Sequence, residues 1–131
     1  MATITKTATL RASAPDVWSV VSDIGNVPAL TGMITESVIK GDHRTCRMAD
    51  GQTLEESILS VDHDLQRLAY RVHSSPFPMT EHAASIVVTD DNGAAHVTWT
   101  TDLLPDSAAP IFAEAADLMF ADMIERMGGT A

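Results

Sequence analysis

Six successive stretches between residues 33 and 103 alternate apolar and polar residues with period two. Only one stretch, 108–127, is long and helical in its spacing. Period two predicts strands over 33–39, 44–48, 52–61, 67–73, 81–89 and 95–103. Turn residues punctuate them: Lys40-Gly-Asp, Asp50-Gly51, Asp62-His-Asp64 and Asp90-Asp-Asn-Gly93. Such short connections make consecutive strands antiparallel neighbours. Residues 3–10 add a seventh strand, with Ile4, Ala8 and Leu10 on one face. After it, Ser13 is placed to cap a helix whose Asp16 suits the positive end of the helix dipole. Val17, Trp18, Val21 and Ile24 give that helix an inward stripe. Asp23 then opens a second short helix limited by Pro28 and Gly32.

The predicted order is strand, two short helices, six strands, one long helix. This is an α+β arrangement within a single domain spanning residues 1–131. A seven-stranded antiparallel sheet has an apolar face to cover, and only the last helix is long enough to cover it. On that helix Ala116, Phe120 and Ile124 form one line; Phe112, Met119, Met123 and Met127 run beside it. A sheet curled around one helix is not filled by that helix alone, so a cavity is expected between them.

Residues 70–82, Tyr-Arg-Val-His-Ser-Ser-Pro-Phe-Pro-Met-Thr-Glu-His, sharpen that expectation. The turn between two strands is apolar where a surface turn is ordinarily polar. Phe77, Pro78 and Met79 therefore either clamp a core or close the mouth of a pocket.

The charge balance excludes some partners. A formal net charge of −10 argues against nucleic acid and anionic membranes. No apolar run approaches the ~20 residues of a membrane span. The first ten residues alternate, unlike a signal peptide, which predicts a cytoplasmic protein. Cys46, the one cysteine, excludes an internal disulfide; beside Arg44 and Arg47 it is either a reactive thiol or a half-buried strand residue. His43, His63, His73 and His96 lack metal-ligand spacing, and no Gly-rich phosphate loop is present. Neither a metal nor a cofactor is expected.

Three residues are candidates for chemistry. If Leu54, Glu56 and Ile58 form the inward face of their strand, Glu56 is a carboxylate in an apolar cavity and a usable general acid or base. The alternative is reversed register, or pairing with Arg71 or Arg47 on a solvated face. His82 shares a face with Ala84, Ile86 and Val88. It is either a proton shuttle or a hydrogen-bonded histidine at the pocket rim. Tyr70 either donates to a ligand carbonyl or is an ordinary half-buried aromatic.

In order and spacing, a set of motifs resembles the START-like helix-grip superfamily, in its polyketide cyclase/dehydrase-like branch. They are Ala14-Pro-Asp-Val-Trp18 with Ser22-Asp23; Asp50-Gly51 before Leu54-Glu-Glu56; Val61-Asp62; Tyr70-Arg-Val72 before Pro76-Phe-Pro78; and Val97-Thr-Trp99 before Pro105. The resemblance implies a helix-grip fold with a ligand cavity between sheet and long helix. It implies that Glu56, Tyr70, Val72 and His82 face ligand, that residues 76–79 form a lid, and that Phe120 and Ile124 line the cavity from the helix. Met119, Met123 and Trp99 join that set as apolar wall. For Trp99 two faces remain open. Polarity favours Val97, Trp99 and Thr101 inward, whereas the match to the plant abscisic acid receptors, which share the fold, favours Thr98 and Thr100.

The implied function is binding of a small hydrophobic, polyketide-like molecule by a monomer or homodimer. Two versions follow. In one, Glu56, His82 and Tyr70 catalyse cyclisation or dehydration by acid-base chemistry without a cofactor. In the other, the protein is a non-catalytic carrier or sensor.

Overall fold

Tight turns set the sheet, and each was signalled by its residues. The computed structural model describes residues 1–131. Strands β1 (Ala2–Thr9), β2 (Ile34–Lys40), β3 (His43–Met48), β4 (Thr53–Asp62), β5 (Arg67–Ser74), β6 (Glu81–Asp91) and β7 (Ala94–Leu104) form one antiparallel sheet in the order β1-β7-β6-β5-β4-β3-β2. Between β6 and β7, Asn92 and Gly93 both take positive φ, at 53° and 91°. A two-residue hairpin loop that matches strand twist needs this geometry, and Asn-Gly adopts it at low cost. Between β3 and β4 the loop holds four residues, with Gly51 at φ 88°. That loop pairs Cys46 with Leu54 and Arg44 with Glu56.

Helix α1 (Ala14–Val21) begins as expected, Ser13 accepting from the Asp16 N–H at 3.3 Å. The second expected short helix is only a three-residue 3₁₀ turn, Val27–Ala29. Asp23 does not cap it; Asn26 precedes it, and Pro28 lies at its start rather than its end. The proline tolerates that position because an N-terminal N–H has no helical partner.

Helix α2 (Ala109–Arg126) packs Phe112, Ala116, Phe120, Met123 and Ile124 against the sheet. Its register is held at one point by Asp122. That carboxylate accepts from the Gly32 N–H at 2.7 Å and the Thr31 hydroxyl at 3.0 Å. Gly32's backbone N–H is the main reason its pKa lies below the usual carboxylate range. The segment between α1 and β2 is thereby tied across to the helix.

Bulges bend the sheet around α2. The β4–β5 register shifts between Glu55 and Glu56 and again between Ile58 and Ser60. Bulges increase local twist and re-aim side chains, and these two bracket Glu56. On β7, Ala95, Val97, Trp99, Thr101 and Leu103 are buried. This settles the open face: polarity predicted it correctly, and the Thr98/Thr100 alternative is wrong. No helix is long and apolar enough to cross a membrane.

Candidate functional site

The inner face of the sheet does not close completely on α2. A cavity remains, bounded by β3–β7, the segment from Val20 to Ile34, and one face of α2. The space reachable by the centre of a water molecule is about 80 Å³. Of the 26 residues lining it, 19 are hydrophobic, so an occupant must be mainly apolar.

Most of the residues singled out in the sequence meet here: Glu56, Tyr70, Val72, Phe77, Met79, His82, Trp99, Met119 and Met123. Three do not. Pro78 is exposed, because residues of the turn alternate: Phe77 and Met79 point in and Pro78 points out. Phe120 and Ile124 face the β1 side of the sheet, where they border a shallow surface groove with Ala8 and Gly129. Phe120 stacks on Trp99, ring centroids 6.2 Å apart. The cavity face of α2 is instead Phe112, Ala116, Met119 and Met123, a separate i, i+4, i+7 line of the same helix. Phe77 closes the mouth edge-on against Phe112, centroids 5.6 Å apart.

A row of polar groups crosses this apolar wall. Arg44 on β3 is opposite Glu56 on β4, which is opposite Val72 on β5. The Val72 N–H donates to His82 Nδ1 on β6 at 3.0 Å. Tyr70 lies one rung away, with the Arg44 guanidinium carbon 5.6 Å from its ring centre.

Glu56 is buried, at 4% exposure, but not alone. The Arg44 Nε–H donates to its Oε1 at 2.8 Å, and the Cys46 thiol donates to the same atom at 3.2 Å. Arg44 is 5% exposed, and its Nη1 also donates to the Ile24 carbonyl at 3.1 Å. The expected alternatives, Arg71 and Arg47, are not the partners. Burial works against the Arg44 charge, but Glu56 outweighs it and the arginine is held more firmly protonated.

Arg44 was missed as a site residue, although its signal was present. Arg44, Cys46 and Met48 share a strand face with period two, and the second and third are apolar. Centring the hairpin on Asp50 then pairs 44 with 56.

His82 is 2% exposed, and a backbone hydrogen bond fixes its ring. Nδ1 accepts a backbone N–H, so it cannot carry the proton, and the neutral ring is the Nε2–H tautomer. Burial, aided by the Arg71 charge, lowers its pKa to about 4. At neutral pH the ring is therefore a fixed neutral donor. The unfolded chain binds a proton near pH 6.5 and the folded chain near 4, so stability is full above 6.5 and falls as pH drops between the two. The lost contribution is about 3 kcal/mol. Urea titrations across that range should show it, and His82→Phe should flatten that part of the profile.

Tyr70 accepts from the Trp99 indole N–H at 3.0 Å, and its own proton goes to no protein atom. Burial, with Glu56 adding to it, raises its pKa well above the ordinary value, so it remains a phenol. Cys46 is fully buried rather than half-buried, and burial followed by the Glu56 charge pushes its thiol up to about 12. The thiolate is the reactive form. Iodoacetamide should therefore label Cys46 only as the protein unfolds; rapid labelling of the native protein would contradict this.

Comparison with known proteins agrees with this fold. A family model described as "Polyketide cyclase / dehydrase and lipid transport" matches residues 1–129. No curated protein matches the chain. Among solved structures, the protein XoxI from Bacillus cereus superposes with a TM-score of 0.87 at 20% identity, over 97% of this chain and 93% of that one. A START superfamily protein from Mycobacterium smegmatis gives 0.75 at 12% identity, covering 95% and 93%. Norcoclaurine synthase from Thalictrum flavum, in complex with dopamine and hydroxybenzaldehyde, gives 0.73 at 18% identity, covering 96% and 85%. At these identities the likeness is one of fold.

Proposed function

The chain belongs to the polyketide cyclase/dehydrase and lipid transport family, and from that premise we propose that it captures a small hydrophobic molecule reversibly in the cavity between sheet and α2. Family and fold both support hydrophobic ligand binding. One observation carries the reading furthest: an apolar cavity crossed by a buried row of polar groups with hydrogen-bonding capacity left over. Apolar area supplies the affinity, and the polar row orients the occupant. The closed cavity is too small for a long poly-β-carbonyl chain. The occupant is therefore short, or the Phe77 lid moves to admit more.

A neutral apolar dye such as 1-aminoanthracene tests this. Saturable one-to-one binding is expected, and Ala116→Trp, which places an indole in the cavity, should abolish it. Met123→Trp serves if the first variant does not fold. Binding that survives both plugs would refute the cavity as the site.

A catalytic reading has its own observation: Glu56 Oε2 makes no hydrogen bond within the protein and lines the same cavity as Tyr70 and His82. That oxygen would take a proton from the carbon next to a ligand carbonyl. The electron pair left behind would pass to the carbonyl oxygen, which the Tyr70 O–H and His82 Nε2–H would stabilise. The enolate carbon would then attack a second carbonyl of the same molecule, and Glu56 would return its proton to the alkoxide so formed. Glu56 would next take the second proton from the same α-carbon and give it to the departing hydroxyl, which leaves as water while the C=C bond forms. Against it, protonating Glu56 leaves the Arg44 charge buried and unbalanced. Proton NMR of a bound methyl ketone in heavy water discriminates: exchange of the α-protons lost in Glu56→Gln favours the enzyme, and no acceleration over buffer favours the carrier.

A further inference from the structure

The polar row also defines what the occupant must carry. Every fully enclosed side-chain nitrogen and oxygen in the protein has a hydrogen-bond partner. Atoms of the row without a protein partner therefore open onto free space, and the cavity is the space these residues line. Those atoms are Glu56 Oε2, an acceptor, and His82 Nε2–H, a donor. Arg44 Nη2 is a further donor at the Glu56 end, and the Tyr70 hydroxyl keeps its own proton unspent.

Their arrangement is directional. The acceptor is on β4 and the neutral donor on β6, two strand spacings apart, or about 10 Å between backbones. A span on this scale is that of one substituted ring with a polar group at each end. Arg44 and Glu56 cancel each other's charge, and His82 and Tyr70 are neutral. A carboxylate or ammonium ligand would thus enter a low-dielectric space with no free counter-charge, which is costly.

We infer that the cavity takes a neutral, ring-sized hydroxy-carbonyl compound, its hydroxyl donating to Glu56 Oε2 and its carbonyl oxygen, at the opposite end, accepting from His82 Nε2–H and the Tyr70 hydroxyl. This rests on the cavity being the ligand site. A hydroxyl and carbonyl on adjacent carbons would not span the row. The aromatic wall of Tyr70, Trp99 and Phe112 suits the flat body between them.

Competition against 1-aminoanthracene at neutral pH, with a matched set of probes, tests it. 4-Hydroxyacetophenone should bind about tenfold or more tightly than 4-methylacetophenone, because only the former satisfies Glu56. 4-Hydroxybenzoate and tyramine, which carry charge, should not compete. In His82→Phe, both ketones should lose affinity by a similar factor, while 4-ethyltoluene, which has neither polar group, should be unaffected. If the dye binds but the hydroxy and methyl ketones compete equally, or the charged pair competes as well as they do, the inference fails and ligand capture stands. If neither dye nor ketone binds, ligand capture itself fails.

Discussion

Arg44→Ala is expected to destabilise the protein by about 3–5 kcal/mol, a large share of what a domain of this size can lose. The guanidinium is not a surface ornament of β3. It is enclosed, it donates to Glu56 and to the Ile24 carbonyl, and its removal leaves the Glu56 side chain with only the Cys46 thiol as donor and the Ile24 carbonyl without its side-chain donor. The asymmetry of buried ion pairs provides the control. Replacing both partners by apolar groups of similar volume, Arg44→Met with Glu56→Leu, should cost far less than the single change, because no orphan charge remains. Urea unfolding of both variants checks this. A single variant costing under about 1 kcal/mol would mean that water reaches the pair.

Trp99→Ala should cost about 3–5 kcal/mol by a different route. Trp99 is 5% exposed and stands between α2 and the sheet, stacked on Phe120 and edge-on to Phe112. Truncation removes that packing and takes the indole donor from the Tyr70 oxygen. Because Trp99 also lines the cavity, the space left behind joins it rather than forming a sealed void. The variant should accept bulkier apolar ligands as it loses stability. Trp99→Phe, which keeps a ring and drops the N–H, should cost only about 1–2 kcal/mol. Thermal or urea unfolding gives the stabilities, and a graded series of alkylbenzenes gives the change in size preference.

The strands were legible because each carries two signals that agree. Alternation sets the face, and turn chemistry sets the register. The β6–β7 hairpin shows it: Asn92-Gly93 pairs Asp91 with Ala94, and Trp99 then falls inward opposite Ile86. The short segment after α1 was harder to read. Val27–Ala29 is too short for a helical period, and what holds its neighbourhood is tertiary, through Asp122 on α2.

The site divides in the same way. Glu56, Tyr70 and His82 follow from alternation plus a known fold. Arg44 needed one more step, pairing across the β3–β4 turn, and that step was available. The rotation of α2 was not. Phe120 and Met123 are both buried apolar residues on one helix, and sequence does not say which line meets a void and which meets Trp99. The fate of the His82 proton was equally hidden, since it depends on the Val72 N–H reaching across from the neighbouring strand.

The most direct test of the central claim is a backbone and indole NMR titration with 4-hydroxyacetophenone. The Val72 amide reports on His82 because it donates to Nδ1, the nitrogen opposite the one that would meet ligand. The Trp99 indole reports on Tyr70 in the same manner. Saturable shifts largest at these two N–H groups are the predicted result. Shifts confined to Ala8, Ala121 and Thr130 around the outer groove, or absent altogether, would contradict the account.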